Sequence, residues 1–190
     1  MSDVRLLVRS LMTVEEAASW VREAELELAA TFGTEQRRRE FLTWRAMVRE
    51  ALGREVEIAY DELGAPQLVG RAEQISVSHA ADRVVVAIAS HRVGVDIERT
   101  NRSYSRIWDR YLMADEQTLS TDPRYPAAAW CAKEAIYKWA GIRELSFEEV
   151  RIICYTPERI TAQIRGEQVV ELTIQQLDAE YLLAVCCQER

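Results

Sequence analysis

The stretch Val93-Gly94-Val95-Asp96-Ile97-Glu98 alternates apolar with polar or small residues. Successive side chains of a strand point to opposite faces, so the three aliphatic groups face a core while Asp96 and Glu98 project together from the other side. Two carboxylates one strand repeat apart can grip a single hard cation. Oxygen donors without histidine or cysteine suit magnesium, which keeps waters and takes further ligands from a substrate's phosphates. Read alone, the stretch is more simply a solvated strand face.

Downstream lies Trp130-Cys131-Ala132-Lys133-Glu134-Ala135-Ile136-Tyr137-Lys138, in a helix opened by Pro126 and closed by Gly141. Glu134 and Lys138 are four residues apart and share a face; in isolation they form an ordinary surface pair worth ~0.3–0.5 kcal/mol. Lys133 and Lys138 are the only lysines among 24 basic residues, which hints that an ammonium is wanted in this helix, since a guanidinium is not its equivalent.

Upstream, Val4 to Val8 reads as a strand. Thr13 with Glu16 forms a capping box, opening a helix whose stripe is Trp20, Val21, Ala24 and Leu28 and which ends at Gly33. A second helix runs from Glu35 to Leu52, with Gly53 stopping it and Arg37, Arg38 and Arg39 near its start. Strands follow at Val56 to Tyr60, Ile75 to Ser78 and Val84 to Ala89. After Arg99 the order repeats loosely. A helix over Tyr104 to Leu119 and another over Pro126 to Ala140 precede strands near Val150–Cys154, Ile160–Ile164, Val169–Ile174 and Tyr181–Cys187. The expectation is an α+β fold of two similar halves, 1–99 and 100–190, with the lysine-bearing helix in the second.

A net charge of −7 argues against nonspecific nucleic-acid binding. No run approaches a membrane span, and the first residues, with Asp3, Arg5 and Arg9, lack a signal-peptide core, so a cytoplasmic location is expected. The spacing of Cys131, Cys154, Cys186 and Cys187 fits neither a zinc knuckle nor a redox pair; they read as reduced, largely buried thiols. A Ser78/His79/Asp96 hydrolase triad is set aside, because consecutive strand residues point to opposite faces.

Together these segments resemble the phosphopantetheinyl transferase superfamily, especially its longer Sfp-like members. Gly94 to Glu98 matches an acidic strand motif of that family, and Trp130 to Lys138 its Trp-x-x-Lys-Glu-Ala-x-x-Lys helix. Gly64-Ala65-Pro66-Gln67-Leu68 is similar to its Gly-x-Pro-x-Leu stretch, and Ser76-Val77-Ser78-His79 to its Ser-hydrophobic-Ser-His strand. The resemblance implies an intramolecular pseudo-dimer, for which a monomer suffices. The implied activity is transfer of 4′-phosphopantetheine from coenzyme A to a serine of an apo acyl or peptidyl carrier protein. The alternative is a coenzyme A- or carrier-binding module without turnover. Asp96, Glu98 and Glu134 would hold Mg²⁺, and Glu134, directly or through a water, would be the general base. Lys138 would contact the phosphates and His79 the 3′-phosphate, with Arg37 and Arg38 as further anion ligands. Ala65 departs from the lysine or arginine expected there, which removes one nucleotide contact. Arg102, Arg106 and Arg110, spaced four apart on one helical face, form a candidate strip for docking an acidic carrier, although an ordinary amphipathic helix explains them equally well.

Overall fold

The computed structural model describes residues 4–188; Asp3, used above in reading the amino terminus, lies outside them. The elements are β1 (Arg5–Ser10), α1 (Val14–Ala18), α2 (Glu23–Ala30), α3 (Glu35–Leu52), β2 (Ile58–Tyr60), β3 (Pro66–Leu68), β4 (Gln74–Ala80), β5 (Arg83–Ala89) and β6 (Val93–Arg99). They continue with α4 (Ala114–Gln117), α5 (Tyr125–Ala140), β7 (Val150–Thr156), β8 (Arg159–Ile164), β9 (Gln168–Gln176) and β10 (Tyr181–Cys187). The class is α+β, as expected.

Thr34 caps α3 by accepting the Arg37 amide, and Gly53, at φ 108°, ends it. The helix expected from Thr13 to Gly33 is instead two, α1 and α2. The Ser19 and Trp20 carbonyls between them accept bonds from Arg54 and Arg49, and the Glu25 carboxylate takes the Arg22 amide, so side chains replace a helical turn. Leu28, assigned above to the apolar stripe, is exposed, and Ala29 is buried in its place. The helix expected over Tyr104–Leu119 is also absent. That segment forms 3-10 turns at Tyr104–Arg106 and Trp108–Arg110, then the four-residue α4, so Arg102, Arg106 and Arg110 do not share a helical face.

The strands form three antiparallel sheets, in the orders β1-β5-β4, β6-β10-β9-β8-β7 and β2-β3. β6, which ends at Arg99, thus belongs to the same sheet as the four final strands, and β10 pairs with it from Tyr181↔Arg99 to Cys187↔Val93. On its other side β6 runs beside β4, where side chains make the link: the Ser76 hydroxyl accepts the Val95 amide at 3.0 Å. Helix α5 covers the five-stranded sheet, burying Ala128, Ala132, Ile136 and Trp139 against Ile160, Leu172 and Leu182. Its approach to β6 is very close. A Cβ added to Gly94 would lie 2.0 Å from the Ala135 carbonyl oxygen.

The two lysines of α5 divide their work. Lys133 and Glu116 are both 0% exposed and form an ion pair with Nζ–Oε1 at 2.9 Å. Lys133 also donates to the Phe147 carbonyl, while Glu116 accepts the Ile152 and Met113 amides. This network ties α5 to α4 and β7. Breaking a buried pair from one side leaves an uncompensated charge, so Lys133→Met is expected to destabilise the fold by ~3–5 kcal/mol, read from the urea midpoint. A loss under about 1 kcal/mol would show that Glu116 takes up a proton or water at little cost.

Of the cysteines, expected to be largely buried, Cys131 and Cys186 are buried, Cys187 is half-buried and Cys154 is exposed. No helix of the described residues is long and apolar enough to cross a membrane.

Candidate active site

Strand β6 is buried on both faces, because α5 and β4 cover the side that its alternation left to solvent. Asp96 is 5% and Glu98 8% exposed, so the solvated-strand reading fails. A buried carboxylate needs partners. Asp96 Oδ1 accepts the Ser78 hydroxyl at 2.6 Å and the Lys138 ammonium at 2.8 Å. Glu98 Oε2 accepts the Tyr104 phenol at 2.5 Å and pairs with Arg102 at 3.2 Å.

Glu134 and Lys138 project from the α5 face turned to β6. Lys138 pairs with Asp96, not with Glu134, and it also donates to the Val95 carbonyl. The surface-pair reading of this helix therefore fails as well. Burial, then the neighbouring Asp96 carboxylate, pushes the Glu134 carboxyl above its ordinary range, with Lys138 opposing. Burial likewise raises Glu98; the Tyr104 hydrogen bond works against it and the Asp96 charge adds to it. The three acids therefore feel one another's charge. Burial pushes the adjacent Cys131 thiol up, so it stays protonated and is no nucleophile.

His79, at the end of β4, is 37% exposed, its Nδ1 3.4 Å from Glu40 Oε1 and its Nε2 3.3 Å from Arg37 Nη1. Its partial burial lowers its pKa; Glu40 opposes this, and the Arg37 and Lys138 charges assist it. Arg37 and His79 are thus brought together within electrostatic reach of Lys138. Arg38 is not: its guanidinium donates to the Phe32 carbonyl at 3.0 Å. Arg39 is likewise spent on the Leu11 and Met12 carbonyls. Glu40, buried and holding both Arg37 and His79, was not apparent from sequence, because only the fold brings α3 beside β4.

A cleft of about 280 Å³ opens beside this centre, lined among others by Gly64, Pro66, Ser76, Arg92, Tyr137 and Lys138. Its rim is the β2–β3 hairpin, whose turn is held by Asp61 Oδ1 accepting the Leu63 and Ala65 amides, with Gly64 at φ 80°. Ala65 brings no charge. Arg92 and Lys138 supply the cations of the wall, Arg92 also donating to the Ala140 carbonyl at 2.6 Å.

Two observations fit a hard cation here. Asp96 Oδ2 is buried without a hydrogen-bond partner, the Cys131 thiol being only a weak donor, and the acids beside it are carboxylates alone. Among the described residues, however, no three His, Cys, Asp or Glu side chains are gathered closely enough to ligate one ion as they stand.

Fold and site define an α+β protein with a carboxylate–lysine centre where a strand of one sheet meets a helix and the edge of another. A family model described as the 4′-phosphopantetheinyl transferase superfamily matches residues 92–186, half of the 190-residue chain. The chain belongs to that superfamily of transferases. The match includes Asp96, Glu98, Glu134 and Lys138, whereas Arg37, Arg38, His79 and the Gly64–Leu68 stretch precede it. No curated protein matches the chain.

Proposed function

We propose that this chain transfers 4′-phosphopantetheine from coenzyme A to a serine of an apo carrier protein, releasing adenosine 3′,5′-bisphosphate. The observation that best supports this is the meeting of Asp96 and Lys138, 42 residues apart in separate motifs, in one hydrogen-bonded pair beside two further acids. The reading includes Asp96, Glu98 and Glu134 as ligands of Mg²⁺, which when bound would neutralise charge on the diphosphate. It extends to a pseudo-dimeric relation between the halves 1–99 and 100–190, and to a cytoplasmic monomer.

In the reaction, the serine oxygen forms a bond to the β-phosphorus while the bond from that phosphorus to the departing bisphosphate breaks. Glu134 takes the serine proton; its raised pKa makes it a stronger base than an ordinary carboxylate. Lys138 offers its ammonium to the phosphate oxygens, where charge stabilisation is the main task of phosphoryl transfer. Arg37 and His79 bind the 3′-phosphate, His79 gaining a positive charge and a second ring N–H donor when protonated. The chain supplies no nucleophile.

Wild-type protein with Mg²⁺ and coenzyme A should raise the mass of an apo carrier by one phosphopantetheine group. Glu134→Gln keeps the shape and removes the base, and should lower transfer by ~10²–10⁴-fold with coenzyme A binding retained. Full activity in that variant would assign the proton to another group. The second reading, a binding module without turnover, draws on the three carboxylates' failure to converge. Coenzyme A binding by wild-type protein with no mass gain on any carrier would establish it.

A further inference from the structure

We propose that Tyr104 is a positioning residue whose buried hydroxyl fixes the Glu98 carboxylate in the orientation from which that carboxylate binds a divalent cation. The inference rests on the reading of Asp96, Glu98 and Glu134 as metal ligands. Tyr104 lies just beyond β6, in the segment where a regular helix would have been expected. The chain there bends into a 3-10 turn, and the phenol points inward, 3% exposed, donating to Glu98 Oε2 at 2.5 Å.

Packing, not flexibility, sets that donor. The Tyr104 ring lies 6.4 Å from the Trp130 ring of α5, and Trp130 in turn packs on Tyr111 at 5.1 Å and Phe147 at 5.3 Å. The other partner of Oε2, Arg102, has a side chain 59% exposed. An exposed arginine shares its time with water and fixes an orientation poorly. A phenol locked in the core holds its acceptor to one direction, and groups that orient a metal ligand typically change metal affinity by ~10–100-fold. Without the phenol, Glu98 would keep only the Trp130 indole and the exposed Arg102 to orient it.

Mn²⁺ serves as the probe, its free ion counted by electron paramagnetic resonance, so binding is measured without turnover. Tyr104→Phe keeps the ring contacts and should weaken Mn²⁺ binding by ~10–100-fold, with a similar rise in the Mg²⁺ concentration for half-maximal transfer and kcat at saturating metal nearly unchanged. Arg102→Gln should move Mn²⁺ affinity by less than about threefold. In the wild-type chain, bound Mn²⁺ should broaden the Tyr104 ring signals in nuclear magnetic resonance spectra, a test that needs no variant. Wild-type affinity in Tyr104→Phe, equal effects from the two substitutions, or sharp Tyr104 signals at saturating Mn²⁺ would each overturn the inference. A wild-type chain that binds no Mn²⁺ would overturn the metal-ligand reading and this inference together. Absence of transfer with the Mn²⁺ differences intact would reject only the proposed reaction.

Discussion

Gly94→Ala is expected to cost the chain most of its folding stability. A methyl group at this position would sit 2.0 Å from the Ala135 carbonyl oxygen, 2.6 Å from the Trp139 amide nitrogen and 2.8 Å from Trp139 Cβ. Two of the three obstacles are backbone atoms of α5, which cannot swing aside as a side-chain tip does. Relief requires the helix to lift from β6. Overpacking against mobile side chains usually costs ~1–3 kcal/mol; a clash with helix backbone should exceed that and reach the ~4–5 kcal/mol seen only for severe lesions. Because α5 bears Glu134 and Lys138 while β6 bears Asp96 and Glu98, any variant that folds should also lose transfer, a 1 Å misplacement being worth ~10²-fold. Thermal and urea unfolding measure the first effect. A midpoint equal to wild type would show that α5 does not lie this close to β6.

Asp96→Asn is expected to lower transfer by ~10²–10³-fold, the loss typical of one preorganised charge-stabilising group. From sequence, Asp96 reads as an exposed carboxylate whose removal would spare stability; its burial with Ser78 and Lys138 corrects that. Truncation to alanine would strand both partners, so asparagine is the cleaner test. Its carbonyl oxygen can still accept from the Ser78 hydroxyl and the Lys138 ammonium, and its amide falls where Oδ2 had no hydrogen-bond partner. The stability change should stay within ~1–3 kcal/mol, because Lys138 keeps 27% exposure and its Val95 carbonyl acceptor. Wild-type transfer by a folded Asp96→Asn protein across a range of Mg²⁺ concentrations would remove Asp96 from the ligand set.

Local rules were enough for α3 and α5. The 3.6-residue spacing and the stop at Gly53 bounded α3 at Glu35–Leu52, and Pro126 and Gly141 bracketed α5 to within one residue of its start. The same rules failed at Ser19–Arg22, where carbonyls find Arg49 of α3 and Arg54 just beyond it, and over Tyr104–Gln117, where Glu116 turns inward to a lysine 17 residues on.

The sequence by itself determined the α+β class, the acidic strand and lysine-bearing helix as the two chemical elements, and Asp96, Glu98, Glu134 and Lys138 as the residues to watch. The class rests on periodicity, a local property; the choice of residues rests on the combined resemblance of the motifs to the superfamily, since each motif alone reads as a solvated face or a surface pair. Only the tertiary structure decided that Lys138 serves Asp96 while Lys133 is locked into the core, that Arg37 but not Arg38 joins His79, and that Tyr104 holds Glu98. A charged side chain's partner depends on which elements pack beside it, and desolvation penalises every choice except the one that packing permits.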